Sequence, residues 1–180
     1  MKKVLSILLF AVLLCTLLPK TALFAHGEVI GGSCGAPGYD LRWEFDPETG
    51  ELRISGTGSM EDYNNYSVNA PWYPYEYTSV YISAGVTSVG VRAFTDSGVT
   101  KVFLPEGLRE LGRYCFSDCT SLESIELPST VNTMGDSCFS GCTALESIKL
   151  PGSIERMWGY CFSGCTSLTD RKSTRLNSSH

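Results

Sequence analysis

Six of the eight cysteines stand in three C-x3-C pairs, Cys115/Cys119, Cys138/Cys142 and Cys161/Cys165. Thiols in that pattern could hold a metal, pair as disulfides, or fill a core as small side chains. Structural zinc sites favour Cys gaps of two or four residues with His nearby, and columns of cysteine repeating along a chain do not gather four ligands tetrahedrally. Disulfides between neighbouring units would fit the allowed Cα window of about 4.4–6.8 Å, yet three cysteines in one column cannot all pair there. One unit earlier, the equivalent positions hold Ala93 and Ser97. A position that accepts Ala, Ser and Cys wants a small buried side chain, so inert core cysteines are the leading reading, disulfides the second and metal the last.

Other reactive sets are harder to build. The two histidines are His26 and His180. His26 would open the mature chain, but a copper site built on it needs a second histidine, and a loose end supports no Ser-His-Asp or Cys-His set. Asp46, Glu48 and Glu51 carry too few spaced oxygens for a calcium loop and suit a turn. Gly56-Thr57-Gly58 lacks the third glycine and the following helix of a phosphate loop. The expectation is therefore no enzyme, no metal and no cofactor.

The positions of the cysteines follow from a repeat. Phe94, Phe116, Phe139 and Phe162 recur at intervals of 22, 23 and 23 residues, as do Ile82, Leu104, Leu127 and Leu150. Pro105, Pro128 and Pro151 follow three of the latter. Each unit carries an apolar-x-x-apolar-x-apolar core: Tyr77/Val80/Ile82, Val99/Val102/Leu104, Leu122/Ile125/Leu127 and Leu145/Ile148/Leu150. Apolar-x-apolar is a strand with one face buried, and Pro ends it because it cannot donate to a ladder. Ser137 to Cys142 would form one helical turn with Cys138 and Cys142 facing inward. A single coil cannot bury its apolar side alone, whereas stacked coils share a continuous core and a parallel sheet.

These motifs carry a resemblance. The stretch SLESIELPSTVNTMGDSCFSGCTALESIKLP closely resembles the BspA-like leucine-rich repeats of bacterial surface proteins, over about Tyr77 to Thr169. Trp158 departs from the usual Gly, Cys replaces Ala before three of the Phe residues, and the first coil lacks the Gly-Cys pair and the Pro. The resemblance implies an extracellular or surface-attached protein associated with adhesion to host or bacterial proteins, with no shared enzymatic activity. The expected fold is an α/β solenoid: a leucine-rich repeat with stacked parallel strands, short helical turns on the other side and an N-terminal β-hairpin cap.

That cap is read from Leu41/Trp43/Phe45 and Leu52/Ile54, two alternating runs around Asp46-Pro47-Glu48-Thr49-Gly50, with Gly50 where positive φ is needed. Trp72 and the Tyr73/Tyr75/Tyr77 alternation complete it, while 26–38 is Gly-rich and expected to be loose. The domain reading is a signal peptide over 1–25, a capping segment over 26–76, about four truncated repeats over 77–169, and a foreign tail over 170–180. The signal rests on Lys2 and Lys3, a 15-residue apolar stretch from Val4 to Leu18, and a cleavage site at Leu23-Phe24-Ala25. The tail, Asp170 to His180, breaks the repeat and resembles the translation of a common sequencing adapter.

Between His26 and Thr169, 8 Lys+Arg face 18 Asp+Glu, a net charge near −10. Such a surface disfavours nucleic acid and anionic membranes, and no membrane insertion is expected after signal cleavage. The function expected is protein binding at the cell exterior, with an unidentified protein ligand. The alternative is a non-catalytic scaffold or targeting region of a larger secreted enzyme. The residues expected to bind are the outward strand positions Tyr81, Phe103, Glu126 and Lys149, the last two able to pair across strands. The expected core is Phe94, Phe116, Phe139 and Phe162 with the six paired cysteines.

Overall fold

The computed structural model describes residues 29–64 and 69–169. The signal segment with His26, and the tail with His180, lie outside the described residues. Eleven strands follow in order: β1 Ile30–Ser33, β2 Asp40–Asp46, β3 Glu51–Ser59, β4 Ser79–Ile82, β5 Val86–Val89, β6 Lys101–Phe103, β7 Glu110–Leu111, β8 Ser124–Glu126, β9 Thr133–Met134, β10 Ser147–Lys149 and β11 Arg156–Met157. Each repeat lays down two of them, so β4/β5, β6/β7, β8/β9 and β10/β11 are the rungs of two parallel sheets on one core.

The hairpin starts both sheets. β2 and β3 pair antiparallel from Asp40↔Thr57 to Asp46↔Glu51. The turn is fixed by Gly50 at φ 67° and by the Asp46 carboxylate, whose Oδ1 accepts the Glu48 N–H at 2.8 Å. Strand β3 is long enough to fork. Glu51–Ile54 pairs with β4, while Gly58 and Ser59 pair with β5 across a register shift. From there the second sheet runs unbroken, β3-β5-β7-β9-β11. In the first sheet the ladder β3-β4-β6 ends, and β8-β10 forms a separate pair.

Spacing explains the break. Trp72 to Tyr77 and Phe94 to Val99 are five positions apart, whereas Phe116 to Leu122 and Phe139 to Leu145 are six. The strands that follow a five-position connection pair with each other, as do those that follow a six-position one. β6 and β8, on either side of the change, lie next to each other without a ladder.

An aromatic column runs through the core. Phe94, Phe116 and Phe139 are fully buried, with stacked ring centroids 5.2 and 5.5 Å apart, and Phe162 continues the stack at 5.9 Å with partial exposure. Trp72 is its first member, stacked 5.5 Å from Phe94 with Nε1–H donating to the Ala93 carbonyl at 2.7 Å. Burial of each such ring contributes roughly 1.5–3 kcal/mol. On the hairpin's inner side, Phe45 and Trp43 pack on Tyr75 at 5.2 and 5.8 Å.

Two expectations need correction. No helix occurs among the described residues, and the segment expected to turn helically bends instead through two left-handed positions per coil. The first column is Arg92, Tyr114, Ser137 and Tyr160, and the second is Asp96, Asp118, Gly141 and Gly164, all with φ between 54° and 77°. A left-handed residue at each end of Ser137–Gly141 interrupts any right-handed turn. The stretch expected to be loose contains β1, which pairs with β2 from Ile30↔Phe45 to Ser33↔Arg42 and leads to the buried Cys34.

Candidate functional site

The four residues expected to bind stand on the outer face of the first sheet, at equivalent positions of β4, β6, β8 and β10. Inward Val80, Val102 and Ile125 alternate with outward Tyr81, Phe103 and Glu126, the period of a one-sided strand. Tyr81 pairs in register with Phe103, and their rings stack with centroids 4.2 Å apart at 13°. Phe103 is 46% exposed and Tyr81 half-buried. The hairpin does not cover the pair. It contributes Arg53, in register with Tyr81, whose guanidinium lies 5.3 Å from the Tyr81 ring centroid while bonding to Glu51. A cation over a tyrosine face adds attraction and leaves Phe103 as the open end of an Arg-Tyr-Phe stack.

Glu126 and Lys149 are brought together in register but form no ion pair; both are exposed. Between them and Phe103 runs the unladdered seam of β6 and β8. A shallow groove of about 570 Å³ follows it, lined by Phe103, Glu106, Glu126, Pro128, Lys149 and Pro151. Sequence reasoning placed Tyr81 and Phe103 on one face but missed Arg53, which only the β3–β4 register reveals.

The six cysteines form two inward columns, and all seven described cysteines are thiols. In the first, Cys115 and Cys138 sulfurs approach to 3.3 Å. In the second, each thiol donates to the Phe carbonyl of the preceding coil: Cys119 to Phe94 at 3.2 Å, Cys142 to Phe116 and Cys165 to Phe139, both at 3.1 Å. Burial pushes the Cys138 thiol well up, and Cys161 up to about 11. Cys138 and Cys161 are therefore poor nucleophiles, because the thiolate is the reactive form. Among the described residues, no group of three His, Cys, Asp or Glu is placed to hold a metal ion, and no helix is long and apolar enough to cross a membrane.

This arrangement of two parallel strands, an aromatic column and paired small residues per coil has counterparts. A family model described as the BspA type leucine rich repeat region matches residues 71–178 in six copies. The chain belongs to the BspA-type leucine-rich repeat family. The match starts beside Trp72, the residue that opens the aromatic column. Among curated proteins, none matches the chain.

Solved structures share the fold of the repeat. A leucine-rich repeat protein from Eubacterium ventriosum is 22% identical with a TM-score of 0.59, over 79% of this chain and 43% of that one. A leucine rich cell surface protein from Faecalibacterium prausnitzii is 24% identical with a TM-score of 0.58, over 74% of this chain and 39% of that one. The leucine rich repeat protein of T. pallidum is 24% identical with a TM-score of 0.52, over 76% and 69%. The BspA-type chain thus spans less than half the length of two of these three.

Proposed function

We propose that this chain is the binding region of a secreted or cell-surface protein that attaches to other proteins, in adhesion to host or bacterial surfaces. The reading is non-catalytic. The observation that carries it is the Tyr81–Phe103 stack, which leaves the Phe103 ring exposed on a strongly acidic molecule. Exposed aromatic clusters beside a cation are common anchors of protein interfaces. Glu126, Lys149 and the groove along the seam would form the polar rim. Support for the location comes from the family and from the Faecalibacterium neighbour, whose description is that of a cell surface protein.

Within this reading, residues 1–25 are a signal peptide, 26–76 a segment that caps the solenoid, and 77–169 the repeats, with 170–180 a foreign tail. The capping role is supported by the fork of β3, which supplies the first rung of both sheets, and by Trp43 and Phe45 packing over Tyr75. Terminal units of solenoids need such a device because an open end exposes core.

The test is Phe103→Ser. Circular dichroism and binding to a panel of extracellular matrix and bacterial surface proteins are measured together. Binding lost with the fold intact supports the contact. Binding unchanged in a folded variant, or a fold lost because Phe103 is packing, removes it.

A further inference from the structure

The outer face of the second sheet carries a larger groove, about 930 Å³, that the Tyr81–Phe103 contact does not use. Ser59, Ser88, Glu110 and Thr133 line it and stand in register on β3, β5, β7 and β9. Neighbouring rungs of a sheet are about 4.8 Å apart. At the corner beside these rungs, Gly112 and Gly135 leave bare backbone. A Cβ on Gly135 would lie 2.5 Å from the Arg113 nitrogen, so no side chain can rise there. In the last coil the equivalent residue is Trp158. It is 60% exposed and lines the end of the groove.

We propose that this groove binds an extended, uncharged oligosaccharide of β-linked hexoses, with one sugar ring stacked on Trp158. Three observations lead there. The spacing of the polar rungs is close to the length of one β-linked hexose residue, so successive sugars would meet successive coils. An extended peptide presents same-side groups about 6.8 Å apart and drifts out of step with the rungs. The chemistry also fits: serine and threonine hydroxyls both donate and accept, carboxylates accept and Arg113 donates, which matches a polymer of hydroxyls. An indole face offers the apolar partner for the C–H side of a pyranose ring. Finally, Glu61, Asp62, Glu110 and Asp136 outnumber Arg113 in the lining and repel polyanions. Two of the carboxylates are held in place: Asp62 accepts the Val91 N–H at 2.8 Å, and Asp136 accepts the Ser137 hydroxyl at 3.3 Å.

The experiment titrates the intact chain with cellotetraose and with tetra-N-acetylchitotetraose, followed by calorimetry and tryptophan emission. Trp43 and Trp72 are buried, so an accessible indole signal reports Trp158. Saturable heat with a blue shift and protection from acrylamide is expected for at least one probe. Trp158→Gly, which restores the residue of the other coils, should weaken that binding at least tenfold, and Thr133→Val several-fold. Phe103→Ser should leave it unchanged. The proposal is overturned if neither tetrasaccharide binds, if folded Trp158→Gly binds as tightly as the parent, or if tetragalacturonate binds as well as the neutral probes.

Discussion

The two sheets share coils and core, yet one is continuous and the other is divided. In the second sheet, β5, β7, β9 and β11 join without interruption, while in the first β6 and β8 stand side by side unjoined. Equivalent positions of the two strands keep one spacing in every coil, as in Ser79 and Ser88, Lys101 and Glu110, Ser124 and Thr133, and Ser147 and Arg156, and only the turn leading to the first sheet gains a residue between Phe94–Val99 and Phe116–Leu122. Parallel register in a solenoid is therefore set coil by coil by connection length, and one extra residue is enough to separate neighbouring strands. What holds the halves together is the material that ignores the change: the aromatic column, whose Phe94–Phe116 spacing of 5.2 Å is no wider than its neighbours.

The largest effect tests that column. Phe139 is buried between rings on both sides, whereas Phe162 is stacked on one side in the described structure. Phe139→Ala is expected to cost roughly 3–5 kcal/mol and to unfold so short a solenoid, and Phe162→Ala to cost less. Urea midpoints of the two variants check it. Equal losses would mean that the column does not bear the stack.

Next comes the continuous sheet. Gly135→Ala places a methyl 2.5 Å from the Arg113 nitrogen and 2.6 Å from the Gly112 carbonyl carbon, both backbone. It should cost about 1–3 kcal/mol, the range for overpacking. Gly152→Ala, where a Cβ meets nothing within 4 Å, is the matched control and should be near neutral in the same melt.

Most of the repeat was legible because burial imposes a period that sequence cannot hide. Phe94 through Phe162 and the strand cores announce stacked coils, and the three C-x3-C pairs read as small core residues sit buried as thiols. What was not legible depends on backbone geometry. Tyr114 and Ser137 carry left-handed φ that their residue types do not advertise, so a turn read as helical is a double bend. Ile30–Ser33 holds two glycines and a single apolar residue, yet pairs as an edge strand with β2. The candidate site divides the same way. Outward Tyr81 and Phe103 follow from period two, but Arg53 needs the β3–β4 register and the Trp158 groove needs the shape of the glycine corner.

Across the seam, thiol bonds stand where ladder bonds are missing. The Cys119 Sγ–H reaches the Phe94 carbonyl, and Ser97 Oγ lies 3.3 Å from the same sulfur. Cys119→Ala should cost about 1 kcal/mol and leave a buried carbonyl unpaired, while Cys119→Ser, which keeps a donor, should cost less. Cys142→Ala makes the same deletion where the ladder is intact, and is expected to be the milder alanine variant. Thermal melts of the three decide whether the seam leans on this thiol.

The thiols also set an alkaline limit. Burial raises Cys161 to about 11 and Cys34 to about 12 from a usual 9.0. Above pH 9 the unfolded chain therefore releases protons that the folded one retains. Stability is full below pH 9 and falls as pH rises through 11 to 12. Urea midpoints at pH 7, 9 and 10.5 should be flat over the first interval and drop over the second. The Cys161→Ala variant should show a shallower drop than the parent.

The smallest change in stability should come from moving the seam itself. Deleting Thr120 together with Ser121→Gly gives the Phe116 coil the five-position connection that precedes β6. Strand β8 would then follow the same spacing as β6 and join it, but β10, still on a six-position connection, would come away from β8. One ladder is exchanged for another, so the melting temperature should barely move. Hydrogen exchange reads the swap directly. In the parent, Lys101 N–H bonds back to Thr78, which turns the Val102 amide toward β8 and leaves it without a ladder partner, while Glu146 N–H is bonded to the Glu123 carbonyl at 2.9 Å. The parent should show fast exchange at Val102 and slow exchange at Glu146, and the variant the reverse. The Gly112 and Gly135 amides of the second sheet, bonded at 2.9 and 2.7 Å, should stay protected in both. If Val102 is as protected as Gly112 in the parent, the two sheets do not differ and connection length does not set the register.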